Sequence, residues 1–150
     1  MTDLIFSSSI DEIHTFDSYL GPFQKEGNNL IVPAINVGVS NHPLNPTSEM
    51  KYIDKSYLLF EQCDDIRTEF DVLLQVPGSV VFHLGGVEME TRVHQEWRII
   101  CKRVHLLLPG SSKLSDEMWR RDMFSQKEID RFLTSPVNTS EWPGSTTGTA

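Results

Sequence analysis

At 150 residues with 39% hydrophobic content, the chain is long enough for one domain with a proper core and too short for two. Thirteen Lys and Arg against twenty-one Asp and Glu give a net charge of −8, and no Lys/Arg patch interleaved with aromatics stands out, which argues against nucleic acid as a partner. No segment approaches the ~20 apolar residues of a membrane helix, and the amino terminus MTDLIFSSS does not resemble a secretory signal, so a cytoplasmic protein with no membrane association is expected.

In chain order, Ser9-Ile10-Asp11-Glu12 has the pattern of a capping box. Ile10, Ile13, Phe16 and Leu20 recur at helical spacing before Gly21-Pro22, which predicts a short helix over about 10–20. Leu30 to Val39 is rich in β-branched residues and reads as a strand. Pro33 cannot donate to a ladder, which places that strand at a sheet edge or a bulge. Asn41-His42-Pro43 and Asn45-Pro46 then predict a loop.

Met50 to Gln62 predicts a strand partly buried on both faces, and Asp64-Asp65 a turn. From Ile66 to Val76 the even positions Ile66, Phe70, Val72, Leu74 and Val76 are apolar between polar neighbours, the pattern of a half-buried strand. Pro77-Gly78 ends it.

Ser79 to Leu108 holds the clearest pattern in the chain. Two alternating runs flank Gly85-Gly86, and paired glycines supply the positive φ angles of a two-residue hairpin turn. That turn sets Leu84 opposite Val87, Phe82 opposite Met89 and Val80 opposite Thr91, with Val93, Trp97, Ile99 and Cys101 continuing the apolar face. The other face carries Val81, His83, Glu88, Glu90, Arg92, His94, Glu96 and Arg98. After Lys102-Arg103 the apolar positions become even-numbered (Val104, Leu106, Leu108), so a bulge or strand break is required near Lys102.

Pro109 to Ser112 predicts a turn. Ser125-Gln126-Lys127-Glu128 is a second capping box, and Ile129, Phe132 and Leu133 give its helix an apolar stripe for packing on the sheet. The strands and helices do not alternate as a parallel sheet demands. The expectation is therefore a mainly β (α+β) fold: an antiparallel sheet of about six strands, curled as a sandwich or open barrel, with short helices near both termini packed on it. Residues 1–136 form one globular domain and 137–150, rich in Thr, Ser, Gly and Pro, a flexible tail.

Little of the sequence points to chemistry. The two cysteines, Cys63 and Cys101, have no metal-ligand spacing, no serine lies in a nucleophile elbow, and no glycine-rich strand-to-helix turn supports a phosphate cofactor. No cofactor and no metal is expected. The polar hairpin face offers one site, with His83 opposite Glu88 and His94 farther along; a positioned His–Glu pair acts as a general base where it meets substrate. Glu90 and His94 lie roughly 13 Å apart along a strand, too far to share a metal.

The densest acidic patch, Glu61, Asp64, Asp65 and Asp71, offers another. Residues 1–90 hold four basic and fourteen acidic residues, a net of −10, against a net of +2 in 91–150 from nine basic and seven acidic. Such asymmetry suits capture of a basic protein. These features favour a non-enzymatic interaction domain of the inhibitor or immunity-protein kind over a small β-barrel enzyme or ligand-binding protein using His83 and Glu88. A third reading is a structural subunit that pairs through the Pro33 edge.

Overall fold

The structure, a computed structural model, describes residues 2–7, 13–41, 45–68, 77–89, 91–109, 112–118 and 125–134. Strands dominate those residues. They are β1 (Thr2–Ser7), β2 (Ile13–His14), β3 (Tyr19–Leu20), β4 (Gln24–Glu26), β5 (Asn29–Ile35), β6 (Val37–Val39), β7 (Lys51–Ile53), β8 (Ser56–Glu61), β9 (Asp65–Arg67), β10 (Val80–Glu88), β11 (His94–Cys101), β12 (Arg103–Pro109) and β13 (Leu114–Ser115). A helix, α1 (Gln126–Thr134), follows.

The strands form a nine-stranded sheet in the order β1-β12-β8-β5-β3-β10-β11-β9, with β4 also on β5, and a four-stranded sheet β13-β7-β6-β2. Every pairing is antiparallel except β3 with β10. The expected count of six strands is thus too low, because many elements here are two- or three-residue bridges that leave no periodicity in a sequence window.

The larger sheet curls on itself. β11 and β12 are separated only by Lys102 in the chain, yet four strands lie between them in the hydrogen-bonded order. The break at Lys102 is the parity shift read from the sequence: before it Ile99 and Cys101 face the core, after it Val104, Leu106 and Leu108. The curl brings the Phe60 ring of β8 to 5.3 Å from the Phe82 ring of β10. One core cluster draws Ile13, Val37, Val39 and Ile53 from the smaller sheet and Leu30, Leu58, Phe60, Phe82, Leu84 and Ile99 from the larger. Asn36, at φ 72°, is the pivot that carries the chain from β5 to β6, its N–H bonded to Ile53 O at 3.0 Å.

Leu107 on β12 is also fully buried, against Ile31 and Leu59 on the sheet's other face. These strands are covered on both sides, which erases their alternation. The helix α1 behaves as its sequence predicts. Ser125 Oγ accepts from the Glu128 N–H at 3.0 Å, Ile129 and Leu133 are buried against Ile35, and Phe132 lies 5.1 Å from Tyr57.

Three expectations are corrected. The hairpin of β10 and β11 exists, but the chain does not reverse at Gly85-Gly86. Both glycines lie within β10, neither has a positive φ, and the reversal falls between Glu88 and Val93, where Arg92 takes φ 59°. Phe82 pairs with Ile99 instead of Met89, a displacement of ten residues along β11. Ten is even, so Phe82, Leu84, Trp97, Ile99 and Cys101 keep the face assigned to them, whereas Val93 is exposed at the turn.

The helix expected over 10–20 is absent from its described part. Residues 13–20 are β2, a turn and β3, and Phe16 is 62% exposed where a helical stripe would bury it. The expected strand at 30–39 is no edge: β5 lies between β8 and the pair β3 and β4. Pro33 is tolerated there because β4 and β3 are interrupted at 21–23; its missing N–H falls at that interruption, and its carbonyl accepts from Gly21 N–H at 2.9 Å. The structural-subunit reading loses its edge strand. The remainder of the expected strand at 66–76 and the 137–150 tail lie outside the described residues.

Candidate functional site: a cleft between two sheet edges

The turn Thr15–Ser18, closed by Ser18 N–H to Thr15 O at 2.8 Å, decides where the cleft forms. It carries the chain from β6 of the smaller sheet, where β2 pairs, to the flank of β10, where β3 lies. Along β10 the N–H groups of Met89, Val87 and Gly85 donate in turn to Leu20 O (3.0 Å), Ser18 O (2.8 Å) and Thr15 Oγ1 (3.0 Å). Backbone groups of alternate residues in a strand point the same way. Those of His83 and Val81 therefore face this same side, where no strand among the described residues bonds them, while the intervening residues pair with β11.

The edge that no described strand covers borders a cleft of about 340 Å³ lined by Ile13, His14, Thr15, Phe16, Val81, Phe82, His83 and Gly85. One wall is β2, itself the edge strand of the smaller sheet.

One of the paired glycines lets β3 approach β10 closely. A Cβ on Gly86 would lie 2.7 Å from Ser18 O and 2.8 Å from Leu20 Cγ, so only glycine admits β3 at this point. Gly85 is less restricted, its nearest neighbours being Glu96 Cγ and His94 Nε2 at 3.7 Å.

Polar side chains ring the mouth. His83 Nε2 is 2.6 Å from Glu96 Oε1, with the histidine side chain 48% and the glutamate 23% exposed. His94 packs its ring on Phe16, centroids 4.5 Å apart, and His14 Nε2 lies 3.3 Å from Ser40 Oγ. Among the described residues no three His, Cys, Asp or Glu side chains are grouped to hold a metal ion.

Of the polar residues singled out from the sequence, His83 lines this cleft and His94 lies beside it. Glu88 does not join them. Its carboxylate accepts from Thr91 N–H at 2.7 Å in the β10–β11 turn, and His83 stands opposite Arg98, bonded to Glu96 instead. Thr15 and Phe16, both central to the cleft, were hidden within a segment whose spacing suggested a helix.

The acidic patch is partly committed to internal pairs. Glu61 Oε2 lies 2.9 Å from Nε2 of the buried His105, and Asp65 Oδ2 accepts from Arg67 Nε at 2.8 Å. The Arg67 bond holds the Asp65 carboxyl below its ordinary range. Asp64 is exposed, with its N–H on Ile100 O, and Asp71 lies outside the described residues. Burial pushes the Cys101 thiol up to about 12 and raises that of Cys63 as well.

The chain matches no family model, no curated protein and no solved structure. The geometry of the cleft therefore carries the functional argument by itself. No helix among the described residues is long and apolar enough to cross a membrane.

Proposed function

We propose that this chain is a non-enzymatic protein-interaction domain whose partner docks in the cleft between β2 and β10. The observation that carries this reading is the conjunction of a strand edge at Val81 and His83 that no described strand covers with the exposed Phe16 ring beside it. Exposed aromatics next to a concavity are typical anchors of protein contacts. The net charge of −8 favours a basic partner, and the turn around Asp64 acts as part of the surrounding negative field, with Glu61 and Asp65 already paired. The reading goes with a sandwich-like curl of the larger sheet and with a cytoplasmic location.

Capture of a partner from the native host, with wild-type chain, Phe16→Asp and the double variant Asp64→Lys/Asp65→Lys as baits, tests it. The cleft reading expects Phe16→Asp to lose the partner and the double variant to retain most of it. The reverse pattern would move the interface to the acidic turn.

A second reading rests on the 2.6 Å contact of His83 with Glu96 at the cleft mouth, the geometry in which a carboxylate orients a general base. It makes the chain a small enzyme or ligand-binding protein. Loss of all turnover in His83→Ala, after a substrate screen has found an activity, would favour it.

A further inference from the structure

We infer that the cleft receives an extended basic peptide as an added strand on β10. This rests on the reading that the partner docks in the cleft and specifies the partner's form. A strand edge offers N–H and C=O groups at a fixed two-residue interval, and an extended backbone satisfies them in series. Here the series is already begun by the chain itself. Leu20 O, Ser18 O and Thr15 Oγ1 serve Met89, Val87 and Gly85 in order, and the row then stops, leaving His83 and Val81 without a described strand beside them. A peptide entering at Gly85 would continue the row that β3 starts.

The shape selects one strand over a second copy of the whole molecule. The wall formed by Ile13, His14, Thr15 and Phe16 stands across from the edge, so a second copy would have to bring a complete sheet past it. Side chains of an added strand alternate, one set toward Ile13 and Phe82, the other toward Phe16 and the His83–Glu96 pair. Apolar residues at alternate positions suit the first set. Lys or Arg at the flanks suit a chain of net charge −8 with Glu96 at the mouth.

The test is a selection of random heptapeptides, displayed on phage, against the full-length chain, followed by synthesis of the enriched sequences. Strand addition predicts alternating apolar residues with basic flanks, and at least a tenfold loss of affinity when the amides of alternate peptide residues are N-methylated. It also predicts loss of binding to Val81→Pro, a substitution that removes an edge N–H without touching the β11 ladder. The N-methylated peptides are measured on the wild-type chain and decide the matter even where Val81→Pro misfolds. Peptides that lose binding in Phe16→Asp but bind within twofold after N-methylation would overturn strand addition and leave docking in the cleft intact. Enriched peptides with acidic flanks would overturn the basic partner. No enrichment over an unrelated bait, or binding that survives Phe16→Asp, would overturn the inference and the cleft reading together.

Discussion

His83 and Glu96 meet at 2.6 Å although they are not opposite each other: His83 faces Arg98, and Glu96 faces Gly85. The diagonal contact passes beside Gly85, where an added Cβ would lie 3.7 Å from Glu96 Cγ, an ordinary contact. Both partners are open to water at the cleft mouth, so the pair contributes little to stability. Glu96→Gln is expected to change the unfolding free energy by less than about 1 kcal/mol in urea titration. A loss of several kcal/mol would mean the pair is structural.

The two adjacent glycines differ in what they tolerate. Gly86→Ala drives a methyl into the Ser18 carbonyl and Leu20 and is expected to cost about 1–3 kcal/mol, with loss of the β3 bridge. Gly85→Ala meets only ordinary van der Waals contacts and is expected to fold like wild type. Equal effects in thermal unfolding would contradict the close approach of β3.

Phe60 and Phe82 hold the curled sheet together from its two halves. Each is buried, and truncation to Ala is expected to cost about 3–5 kcal/mol. A double-mutant cycle should show coupling of about 0.5–1.5 kcal/mol for the ring pair. Phe16→Ala, at an exposed ring, should stay within about 0.5 kcal/mol of wild type. If the two buried rings proved as dispensable as Phe16, the curl would be wrong.

Cys101 ties stability to alkaline pH. Its thiol stays protonated in the fold up to about 12, whereas an unfolded thiol ionises near the ordinary value of 9.0. The folded state therefore holds the proton more tightly, and the stability this contributes is present below pH 9 and is lost as pH rises from 9 to 12. Urea midpoints should fall more steeply over that window in wild type than in Cys101→Val. Parallel slopes would show the thiol to be accessible.

The alternation of Val80–Glu88 and His94–Cys101, the parity flip at Lys102 and the Ser125 cap were all legible because each depends on local spacing and is used locally in the fold. Gly85-Gly86 was misread for a physical reason: paired glycines serve equally well where a chain turns and where another chain presses close. Only the presence of β3, two residues long and distant in sequence, separates these uses. Residues 13–20 failed in the same way. Ile13 and Leu20 sit at helical spacing and are both buried, but in different sheets, and the tertiary bridges to Val39 and Ala34 override the local pattern. The cleft inherits this problem, since Thr15 and Phe16 come from that segment, while His83 was visible on the polar face of the hairpin.

The edge of β10 that no described strand covers can be measured directly in the unliganded full-length chain by residue-resolved amide hydrogen exchange. The N–H groups of Phe82 and Leu84, paired with β11, and of Gly85 and Val87, bonded to Thr15 and Ser18, should be protected, whereas those of Val81 and His83 should exchange at least a hundredfold faster. Protection of Val81 and His83 equal to that of Phe82 and Leu84 would mean the edge is already covered and would contradict the account.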